Sequence, residues 1–172
     1  MLNLIDWYIE ACRKSSNIES SIIIVQTSLE LIYNWLIVEK KQIIKGKDAE
    51  NISASNKIRL ILNELRISSE LPTEMTYLKK ACDDNQNTND APDVLVLIRN
   101  AIVHGQFEKR KILSSMRWEV FNESLNLMLL YLELSILYIL KFNGTYRNRC
   151  LSYEEVDVPW MKNVGTVIKG NE

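Results

Sequence analysis

The chain has a single histidine, His104, and it follows Arg99 and Asn100 by one turn of a helix. Imidazole is the side chain best suited to moving a proton near neutral pH. A guanidinium can hold a phosphoryl group through paired, charge-assisted hydrogen bonds. Together they suit one reaction in particular. RNA breaks its own backbone when a 2′-hydroxyl attacks the neighbouring phosphorus. That reaction requires a group to accept the hydroxyl proton and a cation to hold the charge that builds on the phosphorane oxygens. It requires no metal, and a lone histidine offers no multi-histidine metal site. Asn100 is placed to orient either the histidine or the substrate. The acid and base roles of His104 both remain open at this level.

The element that positions these residues is readable. Asp90-Ala91-Pro92-Asp93 is a helix start, with Asp90 as N-cap, Pro92 in the first turn and Asp93 at the positive end of the dipole. The helix is expected to end at His104, with Gly105 as C-cap. At about 100° per residue, Val94, Leu95, Ile98, Ala101 and Ile102 share a core-facing stripe. Val96, Arg99, Asn100, Val103 and His104 fall on the opposite face, within an arc of roughly 140°. A solvated face would carry Lys and Glu instead. This one is expected to be covered, most simply by a second copy of the chain, around a small polar pocket.

Arg99-Asn100-Ala101-Ile102-Val103-His104 resembles the signature of the HEPN superfamily. The resemblance covers about residues 1–142, although only the motif region is specific. Arg-Asn-x-x-x-His-Gly, with the later Tyr146-Arg147-Asn148-Arg149 and Val158-Pro159-Trp160, resembles more narrowly the ApeA-like HEPN proteins of bacterial phage defence. The resemblance implies a helical bundle with the motif near the end of a late helix. It also implies a homodimer whose two motifs form one composite cleft, and metal-independent endoribonuclease activity. The setting it implies is a toxin–antitoxin or abortive-infection system, with an antitoxin or additional domain as a possible partner. Arg99, Asn100 and His104 are the residues it assigns to catalysis. The superfamily also holds members that only dimerise or bind a nucleotide, RNA or partner protein, and that is the alternative expectation. A larger N-terminal region usual in ApeA-like proteins has no counterpart here, so a piece of a longer protein or a stand-alone relative is expected.

The remaining elements read as an all-α bundle with two long helices. A first helix spans residues 2–15, with Leu2, Ile5, Tyr8 or Ile9, and Cys12 as its apolar stripe. Ser16 or Asn17 caps the second, which runs from Ile18 to about Ile44 with Ile22, Val25, Leu29, Ile32 and Leu36 inward. Gly46 is expected to stop it, and Lys47 to Asn51 to be a polar connection. A third helix begins at Ser53 or Ser55 and carries Ile58, Ile61, Leu62 and Leu65. A shorter one runs from Thr73 to Cys82, followed by a solvated loop through Asn89. After a basic connection, the last long helix starts at Ser114 or Ser115 and reaches Phe142. The expected organisation is a bundle over residues 1–142 and an extended tail, 143–172, packed against it.

Composition narrows the function classes further. Lys+Arg 21 against Asp+Glu 22 gives a net charge of −1, which excludes a protein that coats nucleic acid nonspecifically. A local patch at Lys109, Arg110 and Lys111, close to His104, remains a candidate for RNA phosphate contacts. The three cysteines are far apart, with no C-x-x-C pair, so neither a disulfide framework nor zinc is expected. No Gly-rich phosphate loop is present, and no cofactor is expected. Trp7, Trp35 and Trp118 are expected in the core. Leu125 to Phe142 is nearly long enough to span a bilayer, but Glu133 sits near its middle, where a carboxylate in lipid is costly. A cytoplasmic protein without a membrane span is expected.

Overall fold

A computed structural model describes residues 2–13, 17–104 and 107–161. The helices are α1 (Leu2–Ala11), α2 (Ile18–Ile32), α3 (Gly46–Asn51), α4 (Ala54–Glu64), α5 (Thr76–Asp83), α6 (Ala91–Val103), α7 (Phe107–Ser115) and α8 (Trp118–Ile139). A two-stranded antiparallel hairpin follows, β1 (Thr145–Asn148) and β2 (Glu154–Asp157), with Thr145 opposite Asp157 and Asn148 opposite Glu154.

The two long helices form the centre. α2 continues as a π-helix over Tyr33–Lys40, and it packs along α8. Ile22, Val25, Leu29, Ile32 and Leu36 are all buried, as their spacing requires. So are Ile58, Ile61, Leu62 and Leu65 of α4 and its C-cap. Both long helices, Ile18–Lys40 and Trp118–Ile139, are long and apolar enough to cross a membrane, yet over half of each apolar window is buried within the protein. Their apolar faces pack on each other and on α1, α4, α5 and α6.

Several boundaries differ from the sequence expectation, each for a physical reason. The second helix stops at Lys40, before Ile44. Gln42 takes the left-handed conformation (φ 53°), and the Ile43 N–H closes back on the Ile37 carbonyl at 3.0 Å. That bond spans one residue more than the six-to-one bond that ends an α-helix, as the π-helical last turn requires. Gln42 takes the left-handed place usually given to glycine. Gly46, also left-handed, instead opens the short α3, where a polar connection was expected. α5 begins at Thr76, three residues later than expected. Its N-cap Met75 offers no side-chain acceptor, and Glu123 of α8 accepts the Leu78 N–H at 2.7 Å instead. The basic connection after α6 is itself the helix α7, packed back on α6. α8 therefore starts at Trp118, with Arg117 as its N-cap, and not at Ser114 or Ser115.

Two expected core assignments fail. In α1 the inward residues are Leu4 and Ala11, with Trp7 and Tyr8 half-buried, while Ile5, Ile9 and Cys12 are exposed. The helix is rotated so that Tyr8 can reach Glu133 of α8, at 2.6 Å from its hydroxyl. Trp118 is 64% exposed, on the outward side of a first turn whose Val120 and Phe121 are buried. Trp35 is half-buried, with Lys40 over its ring at 4.7 Å.

Of the expected extended tail, residues 145–157 form a β-hairpin, and the residues after it reach back to the helices. Val158 is fully buried, and Trp160 donates its indole N–H to the Phe142 carbonyl at 3.0 Å and meets Tyr138 edge-on. Residues 162–172 lie outside the described ones.

Candidate functional site

α6 carries the three motif residues, and its two ends are held differently. At the start, Asp90 has extended backbone, and its carboxylate accepts the Asp93 N–H at 3.2 Å. Pro92 occupies the first turn, where its missing N–H costs nothing. Arg59 of α4 then locks that end. Its Nε and Nη2 donate to the two oxygens of Asp90 at 2.7 and 2.6 Å, and Nη2 also reaches Asp93 at 2.6 Å. Burial alone would raise the Asp93 pKa, but hydrogen bonds from Arg59 and from the Asn89 N–H outweigh it and hold the carboxyl below its ordinary value. Sequence reading identified Asp90 and Asp93 and missed Arg59, whose partner Asp90 lies 31 residues away.

Along the helix, Val94, Leu95, Ile98 and Ala101 are buried and Ile102 is half-buried, the stripe expected from their spacing. It packs on α2, α4, α5 and α8. On the other side, Arg99, Asn100 and Val96 are half-buried, Val103 is 42% exposed, and His104 is exposed. The helix ends at Val103. His104 is its C-cap, with extended backbone (φ −95°, ψ 109°), and its N–H bonds the Asn100 carbonyl at 3.0 Å. Gly105, the expected cap, lies outside the described residues.

The side chains of Arg99 and Asn100 are joined: Arg99 Nη1 donates to Asn100 Oδ1 at 3.1 Å. Asn100 therefore orients the arginine, and its link to His104 runs through the backbone. Arg99 Nε is buried without a hydrogen-bond partner. The other buried side-chain atoms in that condition, among the described residues, are both polar ends of Gln26, on α2. α2 is one of the helices on which α6 packs.

Of the expected phosphate contacts, Lys111 lies exposed on α7. The side chains of Lys109 and Arg110 lie outside the described ones. Among the described residues no cluster of three His, Cys, Asp or Glu is arranged to hold a metal ion.

Comparison with known proteins identifies the family. The YopA C-terminal domain family matches residues 1–158. The chain belongs to that family. One relative, the SPbeta prophage-derived uncharacterized protein YopA of Bacillus subtilis (strain 168), is 31% identical over 150 residues, which is 85% of this chain and 31% of that protein. The chain thus spans about a third of the length of that relative. No solved structure matches it significantly. The family description places the matched region at the C-terminal end of YopA and names no activity.

A second group of polar residues escaped the sequence reading. Glu133 of α8 accepts from Tyr8 Oη and from Arg149 Nε, the latter at 3.1 Å, and its Oε1 pairs with Arg149 Nη2. Burial and the Glu133 charge push the Tyr8 hydroxyl pKa up, and burial pushes the neighbouring Cys150 thiol up to about 12. Glu133 within an apolar helix was the available signal. The tail that supplies its arginine could not be placed from sequence.

Proposed function

We propose that the chain is a HEPN-type, metal-independent endoribonuclease that acts as a homodimer in the cytoplasm, in a phage-defence or toxin–antitoxin setting. The observation that supports it most is the Arg99–Asn100 pair. A half-buried guanidinium is held by one amide oxygen, beside a helix end that carries the only histidine of the chain. Arginine used purely for structure normally meets a carboxylate, as Arg59 and Arg149 do here. Arg99 instead keeps its positive charge uncompensated by its bonded partner, which is what a phosphodiester needs.

In this reading the two copies of α6 meet through the face that carries Val96, Val103 and His104. One His104 imidazole takes the proton of the RNA 2′-hydroxyl as O2′ attacks the adjacent phosphorus. Arg99 from each copy holds the equatorial oxygens, and Asn100 fixes the direction of the guanidinium. The P–O5′ bond breaks, and the second imidazole, in its protonated state, gives its proton to O5′. The products are a 2′,3′-cyclic phosphate and a 5′-hydroxyl. Lys111, Lys109 and Arg110 are assigned to backbone contacts along the RNA.

The test is RNA cleavage in excess EDTA by the wild type and His104→Ala, with product ends analysed and mass in solution measured alongside. Cleavage that yields cyclic phosphate, and that disappears in a still-dimeric His104→Ala, is the expected result. Activity surviving the substitution removes the catalytic assignment. A folded wild-type dimer with no turnover of any RNA leaves the same helix face as a binding or dimerisation surface.

A further inference from the structure

A cavity of about 660 Å³ opens between α1, α8 and the hairpin, on residues other than the candidate catalytic ones. Its size is that of a small-molecule site. Ile5 and Ile136 supply apolar wall, and Tyr8, Tyr146 and Tyr153 supply rings. Its two arginines are in opposite states. Arg149 is fully engaged by Glu133, and the two charges cancel within the wall. The Arg147 side chain is 73% exposed, and its ion pair with the similarly open Glu155 spans 3.7 Å. Such a pair is worth little in water, so this guanidinium can exchange its partner for an incoming anion.

The hairpin turn adds a second observation. Ser152 (φ 50°) and Tyr153 (φ 61°) are consecutive non-glycine residues in the left-handed region, a conformation L side chains rarely adopt. The turn is held there by the Tyr153 N–H on the Asn148 carbonyl and the Glu154 N–H on the Leu151 carbonyl, both at 2.9 Å. The result is a tyrosine ring at the cavity with 59% of its surface open, so the strain is not offset by burial of the ring.

We propose that this cavity binds a small planar aromatic anion, its ring against the tyrosines and the aliphatic wall and its acid group on Arg147. The apolar wall and rings select a flat apolar body. With the Glu133 and Arg149 charges cancelled, Arg147 is the lining cation that an acid group can take over from Glu155. The site is independent of the ribonuclease reading, since it uses none of Arg99, Asn100 or His104.

The experiment titrates 8-anilinonaphthalene-1-sulfonate, followed by its fluorescence, into the folded chain, with uncharged N-phenyl-1-naphthylamine as the comparison. Near-UV circular dichroism confirms that each variant keeps its packing. One saturable site is expected, with affinity about tenfold lower for both probes in Tyr153→Ala. Arg147→Gln should weaken the sulfonate about tenfold and leave the amine unchanged. The absence of saturable binding to the folded wild type overturns the proposal, as does binding indifferent to both substitutions. Equal weakening of both probes by Arg147→Gln overturns recognition of the anion.

Discussion

The two ends of α6 are held in opposite ways. At the N-terminus every charge is answered: Asp90 caps the helix, and Arg59 grips both Asp90 and Asp93 from α4. At the C-terminus Arg99 has a neutral partner and a buried Nε with none, and His104 stands exposed on the last turn. Polar groups that serve the fold are paired with one another. In the proposed reading, the groups that meet a substrate stay incompletely satisfied, and the clamp on the first end of the helix helps to position the second.

The widest separation between the two ends should come from His104→Ala. RNA cleavage is expected to fall by about 10²–10⁴-fold, while stability shifts by no more than about 0.5 kcal/mol, measured by product formation and by urea unfolding. Arg99→Ala should cost about 10²–10³-fold in the same assay. At the other end, Arg59→Ala leaves two mostly buried carboxylates without their cation and should destabilise the chain by about 2 kcal/mol. Its effect on cleavage, corrected for the folded fraction, should be small by comparison. A loss of activity beyond that fraction would show that the clamp also tunes the proposed catalytic end.

Gln26 sharpens the same contrast inside the core. It is 1% exposed, and neither end of its amide has a hydrogen-bond partner. Gln26→Leu should therefore stabilise the chain by about 1 kcal/mol, because an unsatisfied amide is replaced by an apolar group of similar volume. A denaturation midpoint that falls would mean that the amide is satisfied in solution, by water.

The smallest effect is acid sensitivity. The Asp93 pKa is depressed in the folded state, so the unfolded chain binds that proton more readily. Its contribution is complete above the ordinary carboxylate value of about 3.9 and is lost as the pH falls through the lower folded value. Unfolding free energy measured from pH 6 downward should show this loss. Arg59→Ala should make it shallower.

How much of this was legible depended on sequence distance. The Asp90 cap, Pro92 and the Val94–Leu95–Ile98–Ala101 stripe are local patterns, and the sequence carries them openly. So are the inward positions of α2 and α4. Arg59 and Arg149 are invisible locally, because each acts on a segment that only the fold brings near. α7 was hidden because a run of charged residues resembles a connection until α6 is there to pack it. The hairpin was hidden because Tyr-Arg-Asn and Glu-Glu-Val are too short and too polar to announce a strand. Expected helix ends erred where a non-glycine residue, Gln42, took the left-handed turn.

The Tyr8–Glu133–Arg149 contact has a consequence for how the molecule opens. It ties the first helix and the C-terminal hairpin to the same carboxylate on α8, so segments at opposite ends of the chain share one anchor. Fraying of either end leaves the Glu133 carboxylate with only the donor that the other end supplies. Amide hydrogen exchange should accordingly find α1 and the hairpin opening as a single unit, and a substitution such as Tyr8→Phe should accelerate exchange in β1 and β2, more than a hundred residues away in sequence.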